Sequence, residues 1–381
     1  MHRVGISGTG SCLPRRVVDN EELYQECDEE TKSRIQEIGS QSRRWASSDE
    51  ELPVIMAVAA KRALEDACLE INDVDAIIVG SNFTDRYPIP NLAPRLHHLL
   101  GLSRKNAYDI GIACCASVQG MMNGRDYLIA RRSEDKVPKQ RHVLMVSGDL
   151  MSRVTKRSSP VNRAILADGA GAVVLSDLET DADLGILSAA MYVEGNPHLI
   201  SYDVCPGEDP VTFDMNGGEV YKFVKRTLGA LTKEAFEKAT IPLSQLARTK
   251  IVPHQVNAYA IEQFPNFLFR SLGIEIPREN FYSRGAAMYG NTSAAGCLIG
   301  IDELNHGGNL IRGDLVYLPV WAAGTTNGYV LLGWSRDKPA FGLFDDRVLQ
   351  ERTLAHYAAL YQPFLEAVKE IKDRRVAKHN T

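Results

Sequence analysis

Two adjacent cysteines, Cys114 and Cys115, close the apolar run in AYDIGIACCASVQG at 107–120. The stretch IGIA (110–113) reads as a short buried strand, and ASVQGMM (116–122) as the first turns of a helix. A thiol at such a joint meets unpaired backbone N–H groups and the positive end of the helix dipole. Both favour thiolate, the nucleophilic form. The small residues around Cys114 leave room for a substrate. A pair of small cysteines packed in a core fits the same letters.

Two other short runs carry groups suited to chemistry. HQVN follows IVP and sets His254 at the end of an apolar strand. A lone histidine there also reads as a hydrogen-bonded structural residue. GNTS (290–293) offers Asn291 at a second joint, where Asn, Thr and Ser equally suit a turn or a helix cap. Taken together, Cys, His and Asn would make a nucleophile with two neutral hydrogen-bond donors.

The elements that would gather these residues repeat along the chain. The first half has a helical pattern at 54–64, a strand at 75–82 and a helix ending in LLGL (99–102). The Cys114 joint and strands at 142–148 and 169–175 follow. The second half has a helical pattern at 219–228, a strand at 250–257 and a helix ending in SLGI (271–274). A joint at 289–295 and strands at 314–320 and 327–333 complete it. Gly101 and Gly273 fall at equivalent places. Counting forward, Cys114 and Asn291 then land at the same point, a helix start after a strand. Alternating buried strands and helices imply an α/β fold. Ligand sites in such folds gather at the C-terminal ends of strands, where Cys114, His254 and Asn291 all fall.

The chain has 381 residues, enough for two domains or one large duplicated core. Hydrophobic residues make up 44% and charged residues 24%, as in an ordinary soluble globular protein. The net charge is −5 with no basic stripe, which argues against nucleic acid as a partner. Seven cysteines (Cys12, Cys27, Cys68, Cys114, Cys115, Cys205 and Cys297) form no CxxC pair and no metal-like spacing. With no signal-peptide core at the N-terminus, a reduced, cytoplasmic setting is expected. No stretch approaches the roughly 18 apolar residues of a membrane span. The tail from 335 carries Leu354, Tyr357, Tyr361, Phe364, Leu365, Val368 and Ile371 at helical spacing, with Pro363 as a kink. Its stripe would dock on the body or on a sister subunit, or else cover a substrate mouth.

These motifs resemble β-ketoacyl-acyl-carrier-protein synthase III, of the thiolase superfamily, from residue 4 to about 334. The similar blocks are GSCLP (10–14), AYDIGIACCA (107–116), DGAGAVVL (168–175), FDMNGGEVYKF (213–223), VPHQVN (252–257) and YGNTSAA (289–295). The resemblance implies a duplicated five-layered α/β/α/β/α fold and a homodimer, with Cys114 at the bottom of a narrow tunnel. It divides the chain into 1–180 with the nucleophile, 181–334 with His254 and Asn291, and a helical extension at 335–381. The family's nucleophile stands five residues after Asp109, which selects Cys114 and leaves Cys115 as packing.

The implied chemistry has two half-reactions and needs no metal or cofactor. Cys114 takes an acyl group from a thioester, with the backbone N–H groups of Cys114 and Ala323 holding the oxyanion. A malonyl thioester then loses CO₂ while His254 and Asn291 hold its carbonyl oxygen, and its carbanion takes the acyl group. The partners implied are an acyl thioester, a malonyl thioester and an acyl carrier protein.

Departures from the pattern bear on the substrate. The family's tryptophan that stacks on coenzyme A falls on Ser33, and the nearby arginine on Glu37. Trp45 stands close enough to substitute. The second coenzyme A arginine has no clear counterpart, although Arg163 is near. The carrier-docking arginine falls on Tyr259, while Lys222, Lys225 and Arg226 offer another basic face or simply a solvated one. Ile89 replaces a Phe that crosses the dimer interface into the acyl pocket, which implies an acyl group longer than acetyl. Two further readings remain: an acyltransferase that passes the acyl group to an oxygen or nitrogen nucleophile, and a non-catalytic partner subunit. A degradative thiolase would use a second cysteine near 322–328, and none is there.

Overall fold

The computed structural model describes residues 2–82, 89–133, 139–156, 158–180, 182–196, 200–203, 212–337, 344 and 347–379. In chain order the first half contains β1 (His2–Cys12), β2 (Arg16–Asp19), α1 (Asn20–Tyr24), α2 (Glu29–Ile38) and β3 (Ser42–Trp45). It continues with α3 (Leu52–Asp66), β4 (Ala76–Gly80), α4 (Leu92–Leu99), β5 (Asn106–Ile110) and α5 (Ala116–Arg132). Then come β6 (His142–Leu150), α6 (Pro160–Ile165) and β7 (Asp168–Glu179). The second half has β8 (Gly185–Val193), β9 (Ile200–Asp203), β10 (Thr212–Met215), α7 (Gly217–Ala239) and β11 (Lys250–Ile251). It closes with α8 (Ala258–Leu272), α9 (Gly296–His306), β12 (Leu315–Ala322), β13 (Thr326–Gly333) and α10 (Arg347–His379).

Strand order repeats between the halves. One sheet runs β1-β7-β6-β4-β5 and the other β8-β13-β12-β11. A parallel bridge from Ile251 to Phe281 stands where β5 stands in the first sheet. The senses match as well: β4 and β11 run parallel to β6 and β12, and β6 and β12 run antiparallel to β7 and β13.

Strand residues alternate between two apolar layers, which is why these strands read as unbroken apolar runs. In β4, Ile77 and Val79 join an outer cluster with α3, α4 and α10. Its Ala76 and Ile78 face a central cluster around α5 and α9. In β12, Val316, Leu318 and Val320 join that central cluster from the other sheet, while Tyr317 and Trp321 face α7 and α8. The order is therefore five layers, helices, sheet, helices, sheet, helices, as the resemblance implies.

β1 is an eleven-residue strand despite glycines that obscure it in the sequence. They allow it to lie against α3. A Cβ on Gly8 would meet the Ala63 carbonyl at 2.2 Å, and one on Gly10 the Ala59 carbonyl at 2.4 Å.

Helix α10 continues through Pro363. Its Leu354, Tyr357 and Tyr361 are buried in the outer cluster against α3 and α4. Phe364 and Leu365 pack on the same cluster, whereas Ile371 is exposed. The first half of the stripe thus docks on the body. Among the described residues, no helix is long and apolar enough to cross a membrane.

Candidate active site

The parallel register sets the ends of β4, β5 and β6 side by side. Gly80 stands opposite Ile110 on one flank and Ser147 on the other. The chain continues from these ends to Asn82, Cys114 and Asp149. From the second half, β11 leads to His254, whose backbone N–H donates to the Pro319 carbonyl at 2.9 Å. Asn257 then caps α8, its side chain accepting from the Ala260 N–H at 2.7 Å. Gln255 pins this stretch by donating to the Pro253 carbonyl at 2.7 Å and accepting from the Ala286 N–H at 2.9 Å.

Both joints have one design. A single 3₁₀ turn, 113–115 in one half and 293–295 in the other, leads into α5 or α9. Each turn begins with a residue in the left-handed region, Ala113 at φ +49° and Ser293 at φ +53°. That conformation costs on the order of 1–2 kcal/mol for a residue with a Cβ, and the packing of both helices between the sheets holds it. The match corrects two expectations from the sequence. The strand ends at Ile110, so 111–113 is the bend into the helix and not part of the strand. Cys114 corresponds to Ala294, and Asn291 to Gly111, so Asn291 stands three residues before the counterpart of Cys114.

Cys114, His254 and Asn291 all border one cavity of about 490 Å³, together with Asn82, Ser293 and Ala323. Its walls are mainly apolar, with Met151, Ile165, Phe223, Val224 and Trp321 among them. Cys114 is partly open to this space. Its Sγ lies 3.4 Å from Ser293 Oγ, and Asn82 Nδ2 donates to it at 3.9 Å. Burial pushes the thiol up to about 11, outweighing its contacts with Ser293 and Asn82. Burial thus favours the thiol and opposes the pull of the helix N-terminus toward thiolate. Cys115 is fully buried in the central cluster.

His254 is 3% exposed, and burial lowers it to about 4. The ring is neutral at pH 7 and can donate from one nitrogen. Its Nδ1 has no hydrogen-bond partner among the described residues. Asn291 is fixed by its backbone, donating to the Ile165 carbonyl at 2.8 Å and accepting from the Ala167 N–H at 2.9 Å. Its Oδ1 accepts from the Ser293 N–H at 2.9 Å, and its Nδ2 makes only a long contact of 3.4 Å to the Val256 carbonyl. A side-chain amide with its oxygen occupied presents its N–H groups as donors.

The remaining expected site residues lie elsewhere. Ile89 is 85% exposed and is not in the cavity wall of the single chain. Lys222, Lys225 and Arg226 project from α7, whose Tyr221 and Val224 line the cavity. Lys222 pairs with Glu219 at 2.6 Å, Arg226 with Glu194 at 2.5 Å, and the Lys225 ammonium sits 5.7 Å from the Phe267 ring centre. Trp45 is 8% exposed and its indole N–H donates to the Leu166 carbonyl at 3.3 Å. The guanidinium groups of Arg16 and Arg163 lie 5.5 and 5.3 Å from its ring centre, and all three residues line a second cavity of about 420 Å³. Cys205 lies outside the described residues. Among the described residues, no cluster of His, Cys, Asp and Glu could hold a metal ion.

Asn82, Ser293 and Asp149 were not singled out from the sequence. Asp149 had a signal, since it is an acidic residue closing the apolar strand HVLMVSGDL. Asn82 and Ser293 read as ordinary loop and cap residues.

Comparison with known proteins places the chain in a family. Family models described as 3-oxoacyl-[acyl-carrier-protein (ACP)] synthase III match residues 108–195, and as its C-terminal part residues 237–334. A β-ketoacyl-[acyl-carrier-protein] synthase III of Geobacillus kaustophilus is 31% identical over 87% of this chain and 99% of its own length. The crystal structure of the synthase III from Aquifex aeolicus superposes with a TM-score of 0.73 at 28% identity, covering 87% of this chain and all of the other. The priming β-ketosynthase from the R1128 polyketide pathway gives a TM-score of 0.74 at 25% identity, covering 88% and 97% of the two chains.

Proposed function

Since the chain belongs to the β-ketoacyl-[acyl-carrier-protein] synthase III family, we propose that it catalyses a decarboxylative Claisen condensation between an acyl thioester and a malonyl thioester. The observation that carries this reading is that Cys114, His254 and Asn291, from three separate segments, border one largely apolar cavity.

In the first half-reaction Cys114 Sγ attacks the acyl carbonyl. The S–C bond forms, the carrier thiolate leaves and takes a proton, and the acyl group rests on Cys114. The backbone N–H groups of Cys114 and Ala323 hold the oxyanion in this account. In the second, the malonyl carboxylate departs as CO₂ and its electron pair becomes the enolate. Neutral His254 and the Asn291 amide donate to the enolate oxygen. A neutral imidazole suits this task because it can stabilise the developing charge without first taking up a proton. Each such donor in a dry site is worth roughly 3–4 kcal/mol of barrier. The enolate carbon then attacks the acyl carbonyl, and the Cys114 sulfur is expelled and reprotonated. Apolar walls keep water from hydrolysing the acyl-cysteine.

Several finer points belong to the same proposal. The cavity volume and Ile89 favour an acyl group longer than acetyl. A homodimer would bring the exposed Ile89 against a second copy. Intact-protein mass spectrometry with a panel of acyl-carrier and acyl-coenzyme A thioesters tests the first step. A mass increase equal to the acyl group, absent in Cys114→Ala, is expected. No increase with any donor, or an increase that survives Cys114→Ala, overturns the reading.

A further inference from the structure

The Cys114 thiol must lose a proton, and His254, at about 4, is too weak a base to collect it. Meanwhile a fully buried carboxylate, Asp149, stands behind the thiol. We propose that Ser293 and Asp149 form a proton relay for Cys114, with Ser293 Oγ receiving the thiol proton while passing its own to the Asp149 carboxylate. This rests on the reading of Cys114 as the nucleophile.

Hydrogen-bond capacity sets the direction. A hydroxyl has one proton and two lone pairs. Asn82 Nδ2, which can only donate, takes one lone pair of Ser293 Oγ. The ionised Asp149 carboxylate can only accept, and the Ser293 hydroxyl donates to it. The second lone pair is left for the Cys114 S–H, 3.4 Å away. Every valence of Ser293 Oγ is then used, with the proton path running from sulfur to carboxylate.

The carboxylate is fixed for the purpose. Its Oδ1 accepts from Ser81 Oγ at 2.8 Å and the Asn82 N–H at 2.7 Å, and its Oδ2 from the Ala294 N–H at 3.3 Å. The titratable group facing it is Cys114, from the 113–115 turn. Ser81 and Asn82 after β4, and Ser293 and Ala294 in the 293–295 turn, meet it as neutral groups. On neighbouring β7, Asp168 bonds instead to the Ala46 and Ser152 N–H groups, each at 2.7 Å. Burial raises Asp149 to about 6, so at neutral pH it is ionised yet more basic than an ordinary carboxylate.

The step balances. As the S–C bond forms, the thiol proton moves to Ser293 and the hydroxyl proton to Asp149, so charge travels from the carboxylate to the oxyanion. When the tetrahedral intermediate collapses, the proton returns through Ser293 to the departing carrier sulfur. Asp149 ends ionised.

The test follows Cys114 by intact mass, measuring both alkylation by iodoacetamide and acyl loading from about pH 5 to 10. In the wild type both rates should rise as Asp149 ionises, near 6, and then level off. In Ser293→Ala and Asp149→Asn the rise should move toward the thiol's own titration, with rates at pH 7 down roughly 10²-fold or more. A purely structural role would lower the rate by the same factor at every pH and leave the profile in place, which would overturn the relay. Should a variant fail to fold, the wild type still decides. A bowed dependence of the loading rate on the D₂O fraction marks two protons in flight, and a straight line contradicts the relay. Shifted alkylation without any acyl loading sustains the relay and sinks the condensing reading. Loading with an unmoved Ser293→Ala profile does the reverse.

Discussion

Cys114 Sγ and Ser293 Oγ, 3.4 Å apart, come from equivalent turns in the two halves of the chain. Neither half contains the site alone. The first supplies the sulfur and the second supplies His254, Asn291 and the hydroxyl beside the sulfur.

The two adjacent cysteines should separate cleanly. Cys115 lies in the central cluster, its Sγ 3.9 Å from the Thr326 carbonyl. Cys115→Ala leaves a small void and should cost about 1 kcal/mol of stability while acyl loading persists. Cys114→Ala should abolish loading with little change in the urea midpoint. Loss of loading in Cys115→Ala, by a protein that remains folded, would contradict the assignment.

His254→Ala and Asn291→Ala should spare the first half-reaction and damage the second. Acyl loading should stay within a few-fold of wild type, whereas CO₂ release from the malonyl thioester should fall about 10²–10³-fold in each variant. Equal losses in both steps would mean that these residues shape the cavity generally and do not hold the enolate.

A buried charge network far from the cavity should make stability depend on pH. His306 Nδ1 lies 2.9 Å from Asp302 Oδ1, and its Nε2 lies 3.8 Å from Asp66 Oδ1. Burial alone would lower His306, but the hydrogen bond and charge of Asp302, with the charge of Asp66, raise it. Burial would likewise raise Asp302, but His306 holds it below its ordinary value. The raised histidine stabilises fully below its unfolded pKa of about 6.5 and loses that contribution as pH climbs through its folded value. The lowered aspartate stabilises above its unfolded pKa of about 4 and loses that contribution as pH falls through its folded value. The melting-temperature gap between wild type and His306→Gln should therefore be widest between about pH 4 and 6.5 and narrow toward alkaline pH. A gap that widens toward pH 9 would contradict the pairing.

Helix α10 should act as part of the body. Tyr361 is 2% exposed, packs against α3 and α4, and its hydroxyl accepts from Arg95 at 3.0 Å. Tyr361→Ala should destabilise by about 3–5 kcal/mol, read as a lower urea midpoint. Ile371→Ala, on the exposed part of the same helix, should change it by less than about 0.5 kcal/mol.

The sequence reveals the repeat because strands buried on both faces, such as 76–80 and 315–322, are unbroken apolar runs, and helices between them keep their spacing. Gly101 and Gly273, each past a helix end at φ +70° and +71°, are true markers of the repeat. β1 was hidden because its glycines serve contact with α3 instead of strand propensity. The candidate site was legible to the extent that Cys114, His254 and Asn291, picked where chemistry and motif coincide, border one cavity. It was not legible at Asn82 and Ser293, because the sequence does not say which loop residues a fold turns inward.

The most direct measurement is a single turnover. Enzyme carrying a labelled acyl group on Cys114 would be mixed with malonyl-acyl carrier protein, and protein mass, product and CO₂ followed together. The account predicts loss of the acyl mass from Cys114 with equal amounts of CO₂ and a carrier-bound β-ketoacyl product. An acyl group that stays on Cys114, or leaves only as free acid or to a hydroxyl or amine acceptor, would contradict it.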